Sequence, residues 1–231
     1  MTLREFKKRL LVANIILDDD QFYKFERYTL LLQQWNEKIN LTSITEKEEI
    51  YEKHFLDCLL AMPDKLSGKV ADVGSGAGFP GLVWKIAKPE LEMVLIEPTG
   101  KRCTFLEEVI KKLHLENITV VNQRAEDYVK DHREEFNYVT ARAVANLPVL
   151  LELCMPLVQV GGEMIAMKGS SAEEELQESS KAITLLGGRV ASLGITELNE
   201  GITRYNLSIK KESITPIKYP RAYAQIKKKP L

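Results

Sequence analysis

The chain has 231 residues, 45% of them hydrophobic, which is enough apolar material for a large core and too much for a disordered chain. With 32 basic and 33 acidic residues its net charge is −1, which excludes a globally cationic nucleic-acid binder and confines any such contact to local patches. Cys58, Cys103 and Cys154 are far apart and form neither a CxxC pair nor a zinc spacing with the three histidines, so they read as buried thiols of a reducing, cytoplasmic setting.

The first apolar run, LLVANIIL at 10–17, is too short to span a bilayer and has no small-residue cleavage site, so neither a membrane segment nor a signal peptide is expected. Residues 1–62 read as a helical extension. Leu3, Phe6, Leu10 and Ala13 recur at helical spacing. Capping-type aspartates at 18–20 then open a second helix whose apolar face is Phe22, Phe25, Tyr28, Leu32 and Trp35. Thr45 to Glu48 fit a capping box for a third. From 63 to 231 the pattern changes to short apolar runs alternating with helical stretches, one of which is SAEEELQESSKAITLLG. That alternation predicts an α/β core with a parallel sheet covered on both faces. The last two runs, GRVASLGITEL and TRYNLSIKKE, predict an antiparallel hairpin at the end of the sheet.

The first strand of this core runs into ADVGSGAGFPG, with four glycines between Gly74 and Gly81. Glycines at the carboxyl end of a first parallel strand let the main chain approach a ligand closely, and the next helix presents free N–H groups. Gly76, Gly78 and Gly81 satisfy the G-x-G-x-x-G dinucleotide pattern, a weak sign because any tight βαβ turn uses glycines. Glu97, about 20 residues on, ends the second strand, where a carboxylate accepts ribose hydroxyls. Both nicotinamide dinucleotides and S-adenosylmethionine carry such a ribose. Asp72 precedes the loop, and Glu126 or Asp127 follows the third strand. Acids at three successive strand ends suit a ligand with a sulfonium and an ammonium better than a pyrophosphate. Asp127 reads equally as a helix N-cap.

Taken with their neighbours, these residues resemble the RsmG family, also called glucose-inhibited division protein B. The likeness runs through WNEKINLTSIT, HFLDCLL, DVGSGAGFPGL, EPTGKRCTFLEEV, RAEDY, VTARAVANLPVLLELCMPLV, MKG and YPR…KKKPL, and spans about 20–231. It implies a Rossmann-like class I methyltransferase fold, a mostly parallel seven-stranded sheet with an antiparallel last strand. It also implies methyl transfer from S-adenosylmethionine to N7 of a guanine in 16S ribosomal RNA, in the 530 loop of the decoding region, with the small ribosomal subunit as partner and a monomer as the working expectation. The donor site would take in Asp72, Gly74, Ser75, Gly76, Gly78, Phe79, Glu97, Pro98, Thr99, Ala125, Glu126 and Arg142. Two departures stand out: the tail YPRAYAQIKKKPL lacks the family's glycine and proline between the arginine and the lysines, and Gly100 falls in the first turn of a helix.

Guanine N7 carries a lone pair and no proton, so this chemistry needs positioning rather than a general base. No nucleophile, triad or metal site is expected. Arg142, at the tip of the fourth strand, and Lys168, at the tip of the fifth, are the candidate catalytic residues. Arg142 suits a phosphate, a stacked base or an acid of the pocket such as Asp72 or Glu126. His54 is expected to pack beneath the helical front, itself expected on the edge of the sheet, with a role at the cleft as the lesser reading. RNA contacts are assigned to Lys101 and Arg102 on the helix after the second strand and to a basic tail that includes Arg221; between 210 and 231 seven basic residues face one acid. The competing readings are a nicotinamide-dependent oxidoreductase, for which no Tyr-x-x-x-Lys pair is evident, a small-molecule methyltransferase, and a non-catalytic ribosome-assembly protein with an inactive pocket.

Overall fold

The computed structural model describes residues 1–198 and 201–231. Three helical segments come first: α1 (Leu3–Val12), α2 (Asp19–Ile39), and a composite of α3 (Lys47–Ile50), a π-helical stretch (Tyr51–Leu56) and α4 (Asp57–Leu60). Thr2 with Glu5 and Asp18 with Gln21 form complete capping boxes for the first two. The box expected at Thr45 and Glu48 does not form. Glu46 is the cap residue and makes no side-chain bond, while the Thr45 carbonyl is taken by the Gln33 amide of α2 at 2.8 Å.

Strands and helices then alternate: β1 (Lys69–Val73), α5 (Gly81–Ala87), β2 (Glu92–Ile96), α6 (Gly100–Lys112), β3 (Ile118–Val121), α7 (Ala125–Tyr128), β4 (Phe136–Arg142), α8 (Leu147–Cys154), a 3₁₀ turn (Met155–Leu157) and β5 (Val158–Lys168). After them come α9 (Ala172–Glu178), α10 (Ser180–Leu185), β6 (Gly188–Glu197), β7 (Thr203–Lys211) and α11 (Tyr223–Lys228). The single helix expected over the SAEEELQESSKAITLLG stretch is broken at Ser179, whose buried hydroxyl donates to the Glu175 carbonyl at 2.6 Å.

The seven strands lie in the order β3-β2-β1-β4-β5-β7-β6. β1 to β5 are mutually parallel, and β7 lies antiparallel between β5 and β6. Successive strand residues face opposite sides, so the sheet divides two cores. Val70, Met93 and Leu95 face one, and Ala71, Val73, Val94 and Ile96 face the other, beneath α8, α10 and α11.

The helical front packs on the first of these faces through α5 and α6, not on the edge of the sheet. Phe6, Phe25, Tyr28, Tyr51 and Phe55 are all essentially fully buried there. An edge is too narrow to bury so much aromatic surface, roughly 150–250 Å² per ring. Trp84 of α5 ties the two layers, its indole N–H donating to the Cys58 carbonyl at 2.7 Å. All three cysteines are free and buried.

Candidate active site

The carboxyl ends of β1, β2, β4 and β5 converge beside the helical front. The glycine loop leaves β1 here. Gly76 has φ +57, which L side chains rarely adopt, and a Cβ at that position would meet nothing closer than the Gly74 carbonyl at 3.8 Å. Its surface is therefore bare main chain facing open space. Gly78 answers a different need, since a Cβ there would stand 2.6 Å from the Tyr28 hydroxyl. That hydroxyl donates to the Ala77 carbonyl, so α2 clamps the loop from above.

Asp72 clamps it from below. It is fully buried, and its Oδ2 accepts the Gly81 N–H at 2.9 Å at the start of α5, while Oδ1 is buried without a partner among the described residues. Burial pushes the carboxyl up to about 7, against the pull of the Gly81 N–H. The Ser75 hydroxyl donates to the Asp72 carbonyl at 2.9 Å. Glu97 closes the side of the loop. Its two oxygens accept the N–H groups of Gly76 at 2.9 Å and Thr99 at 2.8 Å, and Arg102 stands 3.9 Å away. Gly74 and Gly76 are half-buried, Pro98, Thr99 and Lys101 lie exposed beyond Glu97, and Gly100 opens α6. Ala125 is buried at the start of α7 with Glu126 half-buried beside it. Arg124, not Asp127, occupies the N-cap position, and Asp127 pairs with Lys130 at 2.7 Å.

Phe79 lies between the loop and the front. Its ring stacks on His54, with centroids 4.3 Å apart, and on Tyr28 at 5.6 Å, and the Arg142 guanidinium sits 5.1 Å from its centroid. Arg142 does not pair with Asp72 or Glu126. It donates to Asp57 Oδ2 at 2.8 Å, to the Lys53 carbonyl at 3.2 Å and to His54 Nδ1 at 2.6 Å. A guanidinium only donates, so His54 Nδ1 is the acceptor and the ring carries its proton on Nε2, 3.0 Å from the Thr42 hydroxyl. Burial, then the charge of Arg142, lowers the His54 pKa to about 3, and the imidazole is neutral. Asp57 also receives Arg204 of β7, at 3.5 Å from Oδ1. Burial raises the Asp57 pKa against the pull of both arginines.

Lys168 is held in place, with Nζ 2.6 Å from Glu175 and donating to the Ala145 carbonyl at 2.9 Å. Glu175 in turn accepts the Leu147 N–H at 2.6 Å and the Ser171 hydroxyl at 2.7 Å, so the pair pins the turn from β4 into α8. Beside these groups lies a cleft of about 330 Å³ whose walls include His54, Asp57, Arg142, Lys168, Glu175 and Arg204.

The structure thus brings the loop, Glu97, Phe79, Arg142 and Lys168 to one rim. Arg221 lies apart, on the α8 side of the sheet, where its guanidinium holds the fully buried Glu152 at 2.6 Å. Asp57, Glu175 and Arg204 are among the cleft residues that the sequence left unassigned. His54, expected chiefly to pack beneath the front with a role at the cleft as the lesser reading, both packs there and lines the cleft. Its spacing from Asp57, three positions along HFLDCLL, places the two on one helical face and was the available sign.

The strand order and connections are those of the Rossmann-like class I methyltransferase fold. A solved fold neighbour is a mutant form of the 16S rRNA (adenine(1408)-N(1))-methyltransferase with cosubstrate SAM from Catenulisporales acidiphilia, with a TM-score of 0.50, 18% identity and coverage of 64% of this chain and 86% of that one. The Ribosomal RNA small subunit methyltransferase G of Clostridium tetani (strain Massachusetts / E88) is 47% identical over 225 residues, 95% of this chain and 94% of the relative. That of Desulfitobacterium hafniense (strain Y51) is 48% identical over 221 residues, 94% and 92%. The family described as GidB, rRNA small subunit methyltransferase G, matches residues 21–203, and the chain belongs to that family.

Proposed function

We propose that this chain transfers a methyl group from S-adenosylmethionine to N7 of a guanine in 16S ribosomal RNA, in a looped part of the decoding region. The observation that carries this reading is a bare glycine loop beside a strand-end carboxylate, in a chain of this family, next to a cleft lined by guanidiniums and a neutral imidazole.

The residues fit the donor. Glu97 uses one lone pair on each oxygen for Gly76 and Thr99, which leaves acceptor capacity on both for a pair of ribose hydroxyls. The Gly76 surface admits a flat group that a side chain would displace. Glu97 and Glu126, with the partly ionised Asp72 beneath the loop, supply a negative environment suited to a cation and unsuited to a pyrophosphate. S-adenosylmethionine, when bound, supplies an electrophilic methyl group.

The remaining work belongs to the chain. Neutral guanine presents N7 as a lone pair, so no proton has to be removed before attack. His54 agrees with this requirement, because its one acceptor nitrogen is taken by Arg142 and it is not free to act as a base. The Lys168–Glu175 pair holds the β4–α8 turn against which a base would lie, and Phe79 keeps Arg142 in register with the loop. Such positioning is worth up to about 7–11 kcal/mol in favourable cases. The base has to be single-stranded or looped, because the deep groove of paired A-form RNA excludes a site of this kind.

The test is incubation with labelled donor and either purified small ribosomal subunits or naked 16S rRNA, followed by mapping of the modified nucleotide. One labelled guanine, methylated at N7, is the expected result. Label on another base, or on no RNA at all, overturns the reading.

A further inference from the structure

β7 runs antiparallel to both strands that flank it, so its first residues arrive at the edge where β4 and β5 end. Tyr205 pairs with Lys168 and Asn206 with Met167, which puts Arg204 beside the rim. We propose that Arg204, backed by Arg142, binds a phosphodiester group of the RNA strand next to the guanine being methylated. The inference rests on the function proposed above and adds a ligand group and a residue to it.

Three observations carry it. The first is charge. Arg142 and Arg204 share one carboxylate, Asp57, which is itself buried. Lys168 is balanced by Glu175 and Lys53 by Glu49 at 2.5 Å. With His54 neutral and Glu49 counted beside Lys53, the described charged residues at the cleft come to one more positive charge than negative. A phosphodiester carries the single negative charge that would match it.

The second is hydrogen-bonding capacity. Arg142 makes three short bonds inside the protein and is fixed by them. Arg204 reaches Asp57 and the Thr203 carbonyl only at 3.5 Å each, and its side chain is 30% exposed. Five N–H donors in a planar fork are therefore mostly unused at the mouth of the cleft, an arrangement suited to phosphate oxygens. The third is chemistry. A guanidinium laid against N7 would compete with the methyl carbon for the lone pair. A cation at the rim serves the reaction by holding the backbone and leaving the base edge clear.

The experiment measures methylation of purified small subunits by wild-type protein, Arg204→Ala and Arg204→Lys across a range of salt. In Arg204→Ala, KM for the subunit is expected to rise about tenfold, the loss of one charged hydrogen-bonding partner. The dependence of log binding on log salt should flatten by about 0.7–0.9 in slope. Arg204→Lys should keep the wild-type slope, and affinity for S-adenosylhomocysteine by calorimetry should be the same in all three. If Arg204→Ala melts early, Arg204→Gln, which keeps a donor for Asp57, is read in its place. A wild-type KM and salt slope in the uncharged variant, or a flattened slope in Arg204→Lys, overturns the phosphate site. If wild-type protein itself methylates no RNA, it is the proposed function that fails.

Discussion

Glu97 combines two tasks in one side chain. It accepts two main-chain N–H groups, which shapes the glycine loop, and in the proposed function its remaining lone pairs bind the donor. Glu97→Gln keeps the size and removes the charge. Affinity for S-adenosylhomocysteine is expected to fall about tenfold or more, since bonds to a charged group contribute ~1.5–3 kcal/mol. Calorimetry checks this, and an unchanged affinity would remove Glu97 from the donor site. The position of Glu97, at a strand end beside the glycine loop, was legible in the sequence because both are local patterns. Asp57 was not legible as a cleft residue, and for His54 a place at the cleft was only the lesser reading. Their meaning depends on Arg142, more than eighty positions away, and a sequence gives no distance between them. Arg221 shows what a sequence leaves out: a cation in a basic tail reads as an RNA contact, and the structure adds that it pairs with the buried Glu152.

Among elements, α2 and the glycine loop depend on each other. Tyr28 is fully buried, bonds the Ala77 carbonyl and stacks on Phe79, and Gly78 is small enough to let it approach. Burial raises the phenol's pKa well above its ordinary value, so it stays protonated and a donor. Tyr28→Phe leaves the buried Ala77 carbonyl unpaired, at a cost of about 1–3 kcal/mol. Denaturant unfolding measures it, and a variant as stable as the wild type would show that the clamp contributes nothing. The periodicity of α2 told which of its residues face inward, but not that one of them reaches the main chain of the glycine loop. The break at Ser179 was hidden for a similar reason, since the apolar pattern continues through it while the backbone does not.

At the scale of the whole molecule, the front and the sheet meet at His54, and that seam is sensitive to acid. In the folded protein the imidazole stays neutral down to about pH 3, while in the unfolded chain it protonates near its ordinary value of 6.5. Below pH 6.5 the unfolded state therefore binds more protons, and folding stability falls by up to about 1.4 kcal/mol per pH unit from this group. Asp72 acts in the opposite sense. With its pKa raised to about 7, it contributes stability at acid pH that is lost as pH rises through 7. The His54 part is isolated by comparing wild type with His54→Gln between pH 4 and 7. The variant should lose less stability on acidification, and parallel curves would contradict the assignment. Charge is likewise settled at this scale. Of the seven basic residues from 210 on, Lys210 pairs with Glu163, Lys211 is buried beside Glu134 and Arg221 pairs with Glu152, so Lys218, Lys227, Lys228 and Lys229 are the exposed ones.

The sequence by itself determined the alternation of strands and helices, the placing of the glycine loop after the first strand, the acid at the tip of the second and the late hairpin. All of these are set by side-chain period and backbone freedom over a few residues. Only the tertiary structure decided that the helical front lies on a face rather than an edge, that Arg142 binds Asp57 and His54, and that the reversed strand β7 carries Arg204 to the cleft. Those outcomes depend on where large apolar surfaces find burial and on which buried charges can reach each other, and both are properties of the packed chain rather than of any stretch of it.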